Sequence, residues 1–179
     1  QALKTNIERL STGKRINSAS DDPAGLAVSE NMQADIRSLN EAKQNASDGV
    51  SMAETAEGAL SETHDILNRM KELATSANTD ALSSGQRDNI QKEFGELKSE
   101  LNDISQDTEF NDIGLLGSGG FSAEIQVGKD ANDQVTVAID QGVSTGSLGS
   151  GNLASASVGG SRGNASAAVS TVQTAINEV

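Results

Sequence analysis

The sequence predicts a mainly α-helical protein: a long antiparallel helical rod, packed like a coiled-coil bundle, with one β-hairpin. Aromatic residues are only 2% of the 179 residues, so the core must be built from Leu, Ile, Val, Met and Ala, which suits helices that lie close together. Pro23 is the single proline, which leaves long stretches free to be helix. Apolar residues also recur at steps of three and four through most of residues 24–104, as expected for helices.

The N-terminal residues predict the end of one helix and a loop before the next. Residues 1–10 carry Leu3, Ile7 and Leu10 at helical spacing, and residues 11–22 are polar and irregular. Asp22 and Pro23 then predict a helix start. An Asp side chain accepts bonds from free amide groups at the N-cap, and Pro at the first helical position loses no hydrogen bond.

Residues 23–78 predict one long helix, because no residue pattern interrupts it. At about 1.5 Å per residue it would be about 80 Å long, which exceeds the helices of globular domains. A second apolar row on its flank indicates more than one partner helix. The main apolar seam consists of Val28, Met32, Ile36, Leu39, Ala46, Val50, Ala53, Leu60, Leu67, Met70 and Ala74, and the second row of Met52, Ala59, Ile66 and Leu73.

Residues 85–107 predict a second helix that folds back antiparallel on the first. Its apolar residues fall at steps of four and three: Ile90, Phe94, Leu97, Leu101 and Ile104. The period then changes to two in residues 121–127 and 134–140, separated by a turn-forming segment. This pattern predicts a β-hairpin over 121–140, so that residues 23–140 form one rod domain.

The C-terminal part predicts a linker followed by a third helix. Residues 141–163 are mostly Gly, Ser and other small residues with no periodic apolar face, which is typical of a surface linker. Helical spacing returns in residues 164–179. The chain starts at Gln1 without Met and ends inside this helical pattern, which indicates a fragment of a longer protein.

Charge and composition argue against several partners. The formal net charge is −13, from 26 acidic and 13 basic residues. A surface this acidic repels nucleic acid and anionic lipid, so neither is expected as a partner. We also find no apolar run of the roughly 20 residues that a transmembrane helix needs.

The sequence offers little that could support catalysis or cofactor binding. His64 is the only histidine and there is no cysteine, so a zinc site of the usual type is not expected. The segment Ser11–Arg15 lacks the early glycine and the final Ser or Thr of a phosphate-binding loop. The pair Asp21–Asp22 is explained by helix capping. We therefore predict a structural protein without enzymatic activity, cofactor or metal.

Four segments carry a family resemblance: IERLSTGKRINSASDDPAGLAVSENM (7–32), residues 45–80, DISQDTEFNDIGLLG (103–117) and NASAAVSTVQTAINEV (164–179). Together they resemble bacterial flagellins. The resemblance implies that residues 1–10 end the inner-tube helix and residues 11–22 form the spoke. The rod of the filament core would follow, with the 141–163 linker in place of outer domains and residues 164–179 opening the C-terminal core helix. The implied function is a secreted structural subunit of the extracellular flagellar filament, which self-assembles for motility.

The resemblance also implies contact residues and partners. Other copies of the chain would be one partner, and the spoke residues Arg15, Asn17, Asp21 and Asp22 would set the geometry between domains. The flagellin-sensing Toll-like receptor of vertebrates would be the second, through a patch made of Asn68, Arg69, Met70, Glu72, Leu73 and Glu93. We expect the same patch to face neighbouring subunits in the filament. Arg69 and Leu73 are four apart and share a helix face. In the plainer alternative, Leu73 packs inside the rod and Arg69 pairs with Asp65.

Two other functions compete with this hypothesis. A hook–filament junction protein would share much of the rod pattern but occur in few copies. A generic coiled-coil binding module, such as an adhesin stalk or a helical adaptor, would explain the apolar seams but not the spoke motif.

Overall fold

The computed structural model describes residues 6, 7 and 10–179, and the chain divides into two compact units. The first unit comprises residues 1–47 and 126–135, and the second comprises 48–125 and 136–179. Residues 6, 7 and 10–12 are helical. The rest of the predicted N-terminal helix, including Leu3, lies outside the described residues.

The chain is mainly helical, as predicted. Its elements are α1 (Pro23–Ala77), α2 (Ser84–Asp107), β1 (Glu109–Phe110), β2 (Ile113–Gly114), β3 (Phe121–Gln126), β4 (Gln134–Ile139), a short 3-10 turn (Leu153–Ser155) and α3 (Arg162–Glu178). Helix α1 has 55 residues. In the described part of the chain, no helix is both long and apolar enough to cross a membrane.

In the first unit, α1 begins as the sequence predicts. The Asp22 carboxylate accepts a hydrogen bond from the amide of Gly25 at 2.9 Å, which is the N-cap bond, and Pro23 is the first helical residue. The predicted seam does not become core here. Val28, Met32, Ile36 and Leu39 are between 49% and 60% exposed. We call these four residues the exposed row.

The turn between β3 and β4 also belongs to the first unit, where it contacts α1 through polar side chains. Lys129 pairs with Asp35 at 3.0 Å, and Asn45 donates to the carbonyl of Gln126 at 3.2 Å. The hydrogen bond to Asp35 raises the pKa of Lys129. Both side chains of this pair are about half exposed, so the pair positions the turn but adds little to the folding stability.

The core of the second unit is built from small and medium apolar residues, with Phe94 as its one fully buried ring. Residues from all three helices contribute, among them Leu67, Met70, Leu101, Ala165 and Val172. The mainly apolar, aromatic-poor packing follows from the composition, because few large rings are available to fill space.

Helices α1 and α2 are joined by a turn that side chains hold at both ends. Ser83 caps α2 and exchanges hydrogen bonds with Gln86, which forms a capping box. Arg87 is buried, and its guanidinium donates to the carbonyls of Ala77 (3.2 Å) and Thr79. Because the last carbonyls of a helix have no partner inside it, Arg87 completes the end of α1 and sets the antiparallel return.

The structure contains a second strand pair, whereas the sequence predicts only one hairpin. Strands β1 and β2 are antiparallel, with Phe110 opposite Ile113. The two loop residues, Asn111 and Asp112, have φ of 51° and 64°. Two residues with positive φ form a type I′ turn, and Asn and Asp tolerate this conformation. The Asn-Asp pair between Phe110 and Ile113 was the available signal.

The predicted hairpin is present as β3 and β4. In the second unit, β3 approaches α1 at Gly49. A Cβ added to Gly49 would lie 2.3 Å from the end of the Ile125 side chain, so that side chain would have to move to admit it.

The interpretation of residues 141–163 as a surface linker was wrong. Val143, Leu148, Leu153 and Val158 in this segment are at most 2% exposed and belong to the core of the second unit. They recur at every fifth residue. A search for strand or helix periods does not detect such a repeat, and the Gly- and Ser-rich composition hid it. We call residues 141–161 the connector.

Candidate interaction surface

The patch predicted on the second unit is held together by one arginine. Arg69 on α1 forms ion pairs with Glu72, one turn along the same helix, at 3.0 Å and with Glu93 on α2 at 2.7 Å. The structure thus joins three of the predicted residues. Arg69 pairs with these two carboxylates rather than with Asp65, which the plainer alternative proposed.

The Arg69 cluster, which we define as Arg69, Glu72 and Glu93, is exposed to solvent. Its side chains are between 46% and 69% exposed. The hydrogen bonds that Arg69 donates to Glu93 and then to Glu72 raise the pKa of Arg69, so the guanidinium is always charged. Salt screens such exposed pairs, so the cluster presents a defined pattern of charge on a rigid support rather than a strong stabilising contact.

Two of the predicted patch residues are not on this surface. Met70 is 0% exposed and Leu73 is 6% exposed, and both belong to the core. The helical period explains the division. Residues 70, 73, 74 and 77 point to the core, while 68, 69 and 72 point to solvent. The burial of Leu73 favours the alternative in which it packs inside the unit.

A shallow groove borders the Arg69 cluster. It is lined by Asn68, Lys71, Glu72, Thr75 and Ser76. At its edge the Lys71 ammonium donates to the Gln173 side chain on α3. No sequence signal pointed to Gln173, because its contact with Lys71 spans 102 positions along the chain.

The predicted spoke residues lie in the first unit, where they shape the entrance to α1. The Asp21 carboxylate accepts bonds from the amides of Asn17 and Ser18, both at 3.3 Å. Asn17 in turn accepts a bond from the Thr12 hydroxyl at 2.8 Å. Asp22 supplies the N-cap of α1. Asn17, Asp21 and Asp22 therefore fix the local path of the chain.

Arg15 has a different place in the spoke. It is exposed and lines a groove with Ile16, Val28 and Met32, next to Gly25. A Cβ added to Gly25 would lie 2.4 Å from the Asp22 carboxylate and 2.9 Å from the Ile16 side chain. The absence of a side chain at Gly25 is therefore what lets the spoke fold against the first turn of α1.

His64 is exposed on α1, and the described residues contain no group of three His, Asp or Glu side chains that could hold a metal ion. The arranged groups are charged and hydrogen-bonding side chains on helices.

The family is decided by the N-terminal two-thirds of the chain. A family model for the bacterial flagellin N-terminal helical region matches residues 1–119. The chain belongs to the flagellin family. Flagellins are structural proteins that form the extracellular flagellar filament, and the resemblance seen in the sequence is confirmed.

Individual flagellins are similar over most of the chain. Flagellin of Escherichia coli O127:H6 is 45% identical over 139 residues, which are 78% of this chain and 25% of that protein. Flagellin of Xenorhabdus nematophila is 43% identical over 140 residues, which are 78% of this chain and 44% of that protein. The chain thus spans between a quarter and less than half the length of these curated relatives.

A solved flagellin structure supports the fold. The crystal structure of Bacillus cereus flagellin aligns with a TM-score of 0.61 at 28% sequence identity, covering 75% of each chain. The mainly helical fold class with a long helix is confirmed. The roles predicted for individual patch and spoke residues stay predictions.

Proposed function

We propose that this chain is the core part of a flagellar filament subunit, secreted to the cell exterior, where it assembles with other copies for motility. The observation that carries the proposal is the flagellin match over residues 1–119, which includes both the spoke and α1. In that region, Asp21 and Asp22 shape the entrance to a 55-residue helix.

The exposed row supports an assembled state. Four apolar side chains on one face of a helix are poorly accommodated by water, so we expect the filament to bury Val28, Met32, Ile36 and Leu39. The net charge of −13 opposes association of separate copies at low salt. Apolar contact and shape must therefore drive assembly, and contacts between unlike surfaces extend into open helical filaments.

Immuno-electron microscopy of the source cells with an antibody against this chain tests the proposal. Label along the whole length of extracellular filaments is the expected result. Label at the filament base alone would instead identify the junction protein. Absence of filament label would favour the generic coiled-coil module.

A second experiment tests the spoke. Asp21→Ala, introduced into the full subunit gene, removes the acceptor of the Asn17 and Ser18 amides. We expect fewer or misshapen filaments at unchanged subunit secretion. Asp88→Ala, an exposed aspartate of α2 outside the spoke, is the matched control and should leave filaments normal. Equal filament yields for both variants would contradict a role of the spoke in assembly.

We also propose that the Arg69 cluster, with the neighbouring exposed Asn68, binds the flagellin-sensing Toll-like receptor of vertebrates. Arginines held in place are frequent anchors of protein interfaces, and Arg69 is fixed by two carboxylates from two helices. Leu73 and Met70 are buried, so their side chains are not available to the receptor.

Reporter cells that carry the receptor provide the test. Arg69→Ala is expected to reduce potency about tenfold or more, the effect of losing an interface anchor. Arg162→Ala is the matched control, because Arg162 is also an exposed arginine in an ion pair, with Asp80. Equal potency of the two variants would contradict a role of the Arg69 cluster in receptor binding.

A further inference from the structure

We propose that residues 143–159 of the connector form a strap, which opens and closes as one cooperative unit while the helices of the second unit stay folded. The inference concerns motion within this chain and goes beyond filament assembly and receptor binding. It rests on how the strap is attached: apolar side chains underneath, and polar side chains of two helices that hold its backbone.

The underside of the strap is apolar. Val143, Leu148, Leu153 and Val158 are at most 2% exposed, whereas most residues between them are polar or small. A buried Val or Leu side chain recurs at every fifth residue along the whole segment. The strap is therefore attached along its length rather than at one point.

Helix α2 holds the strap with a row of three polar side chains. Gln91, Lys98 and Asn102 are spaced by seven and four, which places them on one face of the helix. The side-chain carbonyl of Asn102 accepts hydrogen bonds from the amide and the hydroxyl of Thr145, both at 3.0 Å. The Lys98 ammonium donates to the carbonyls of Ala154 and, at 3.2 Å, Ala156.

Gln91 makes the most extensive of these attachments. Its carbonyl oxygen accepts from the amides of Val158 (2.7 Å) and Gly159 (2.9 Å) and from the hydroxyl of Ser157 (2.9 Å). These amides have no partner in a helix or strand. A single side chain thus satisfies the last turn of the strap.

Helix α3 supplies the fourth attachment through Glu178. Its carboxylate accepts from the amides of Gly149 (2.6 Å) and Ser150 (3.0 Å) and from the Ser150 hydroxyl (3.1 Å). Gly149, Ser150 and Gly151 all have positive φ, at 64°, 54° and 76°. Consecutive amides in such a turn form a concave anion site. For Ser150 this conformation is strained, so the carboxylate helps to hold it.

Bonds within the strap link these attachments to one another. The amide of Ala154 donates to the carbonyl of Thr145 at 2.9 Å, and the amide of Leu153 donates to that of Leu148 at 3.3 Å. Release of Thr145 from α2 therefore disturbs Ala154, which Lys98 also holds. Because each attachment constrains a segment that another attachment also constrains, we infer that they are lost together.

Opening of the strap requires less free energy than global unfolding of the chain. It breaks side-chain bonds and exposes four apolar residues, whereas the helices keep their own backbone bonds and the rest of the core. Regions with few backbone ladder bonds and limited buried area form the low-stability units of native proteins. The strap fits that description, and α1 and α2 do not.

Native-state amide exchange on the whole chain, at increasing urea below the unfolding midpoint, tests the proposal. In the wild-type protein, the amides of Thr145, Gly149, Ala154 and Val158 should exchange with one common opening free energy. That value should lie below the value for amides in the middle of α2. Gln91→Ala and Glu178→Ala should each speed exchange about tenfold across the whole strap, including the end that the altered residue does not touch.

Gln173→Ala is the matched control, because Gln173 bonds Lys71 and Asn177, neither of which holds the strap, and its loss should leave the exchange of the strap unchanged. Faster exchange confined to Val158 and Gly159 in Gln91→Ala would show independent attachments and overturn the proposal. So would wild-type strap amides that exchange only with the slowest core amides at every urea concentration. This second result needs no variant, so a variant that fails to fold does not prevent the test.

Discussion

The first half of α1 and the connector place their apolar side chains in opposite environments. Val28, Met32 and Ile36 on α1 lie on one face of a regular helix and are between 53% and 60% exposed. Leu148 and Leu153 of the connector lie in irregular, Gly-rich backbone and are at most 1% exposed. Regular spacing therefore creates an apolar face, whereas burial depends on what packs against that face.

The difference arises because more elements pack against the second half of α1 than against the first. Residues 23–47 of α1 belong to a unit whose other segment is the short turn region 126–135. Residues 48–77 of the same helix belong to the unit that contains α2, α3 and the connector. The same apolar spacing is exposed in the first unit and at Val50, which is 58% exposed at the start of the second unit, and it becomes buried further along the helix, at Leu67, Met70 and Ala74.

The largest expected effect on stability comes from removing one apolar side chain from each region. Leu148→Ala should lower the free energy of unfolding by about 2 to 5 kcal/mol, because a buried cavity remains. Ile36→Ala should change it by less than about 0.5 kcal/mol, because its side chain is 58% exposed. Urea denaturation followed by circular dichroism measures both. Similar losses for the two variants would mean that the exposed row is already buried in solution.

The next test asks whether the connector is packed tightly through its backbone. A Cβ on Gly142 would lie 1.9 Å from the carbonyl oxygen of Gly117 and 2.9 Å from the Cα of Ser118. Gly142→Ala should therefore destabilise by about 1 to 3 kcal/mol, the cost of overpacking.

Gly146→Ala in the same connector is the control. The nearest atom to its added Cβ is the Ser144 hydroxyl oxygen at 3.9 Å, so the substitution should be neutral or slightly stabilising. A flexible surface linker would tolerate both changes equally in thermal denaturation, and that outcome would contradict the buried connector.

A smaller effect is expected inside the buried half of α1. Thr63 is 0% exposed, and its hydroxyl has no hydrogen-bond partner among the described residues. Thr63→Val replaces an unsatisfied buried hydroxyl with a methyl group, so the free energy of unfolding should rise by about 1 kcal/mol. Thr55→Val is the comparison, because the exposed Thr55 hydroxyl bonds the Ser51 carbonyl at 2.8 Å. If Thr63→Val is destabilising in chemical denaturation, the site holds a partner such as a bound water.

The smallest effect compares two glycines of α1. Gly58 has open space around its Cβ position, so Gly58→Ala should stabilise by roughly 0.8 kcal/mol through helix propensity. Gly49→Ala should increase the free energy of unfolding by less, because the new Cβ would lie 2.3 Å from the end of the Ile125 side chain. In an Ile125→Val background, which removes that atom, Gly49→Ala should recover part of the gain. A double-mutant cycle by thermal denaturation would show no coupling if β3 does not pack against the helix at this point.

Local signals in the sequence predicted the helical elements well, because their causes are local. Asp22 and Pro23 defined the start of α1, and the four–three spacing from Ile90 to Ile104 located α2. The Arg69 cluster was partly predictable, since Arg69 and Glu72 are neighbours on one helix, whereas Glu93 was included through family resemblance. Gln173 and Glu178 left no local signal, because their partners lie 102 and about 29 positions away.

The sequence by itself determined the fold class, the extent of the long helix and membership of the flagellin family. These depend on helix periodicity, capping residues and contiguous motifs, which short stretches of chain carry. Only the tertiary structure decided that the connector is core and that the exposed row is uncovered in this chain. For Leu73 and Met70, the sequence allowed both the apolar seam and the surface patch, and the structure places them in the core. Burial depends on residues that are distant in sequence. The local sequence around an apolar side chain therefore does not determine whether another element packs against it.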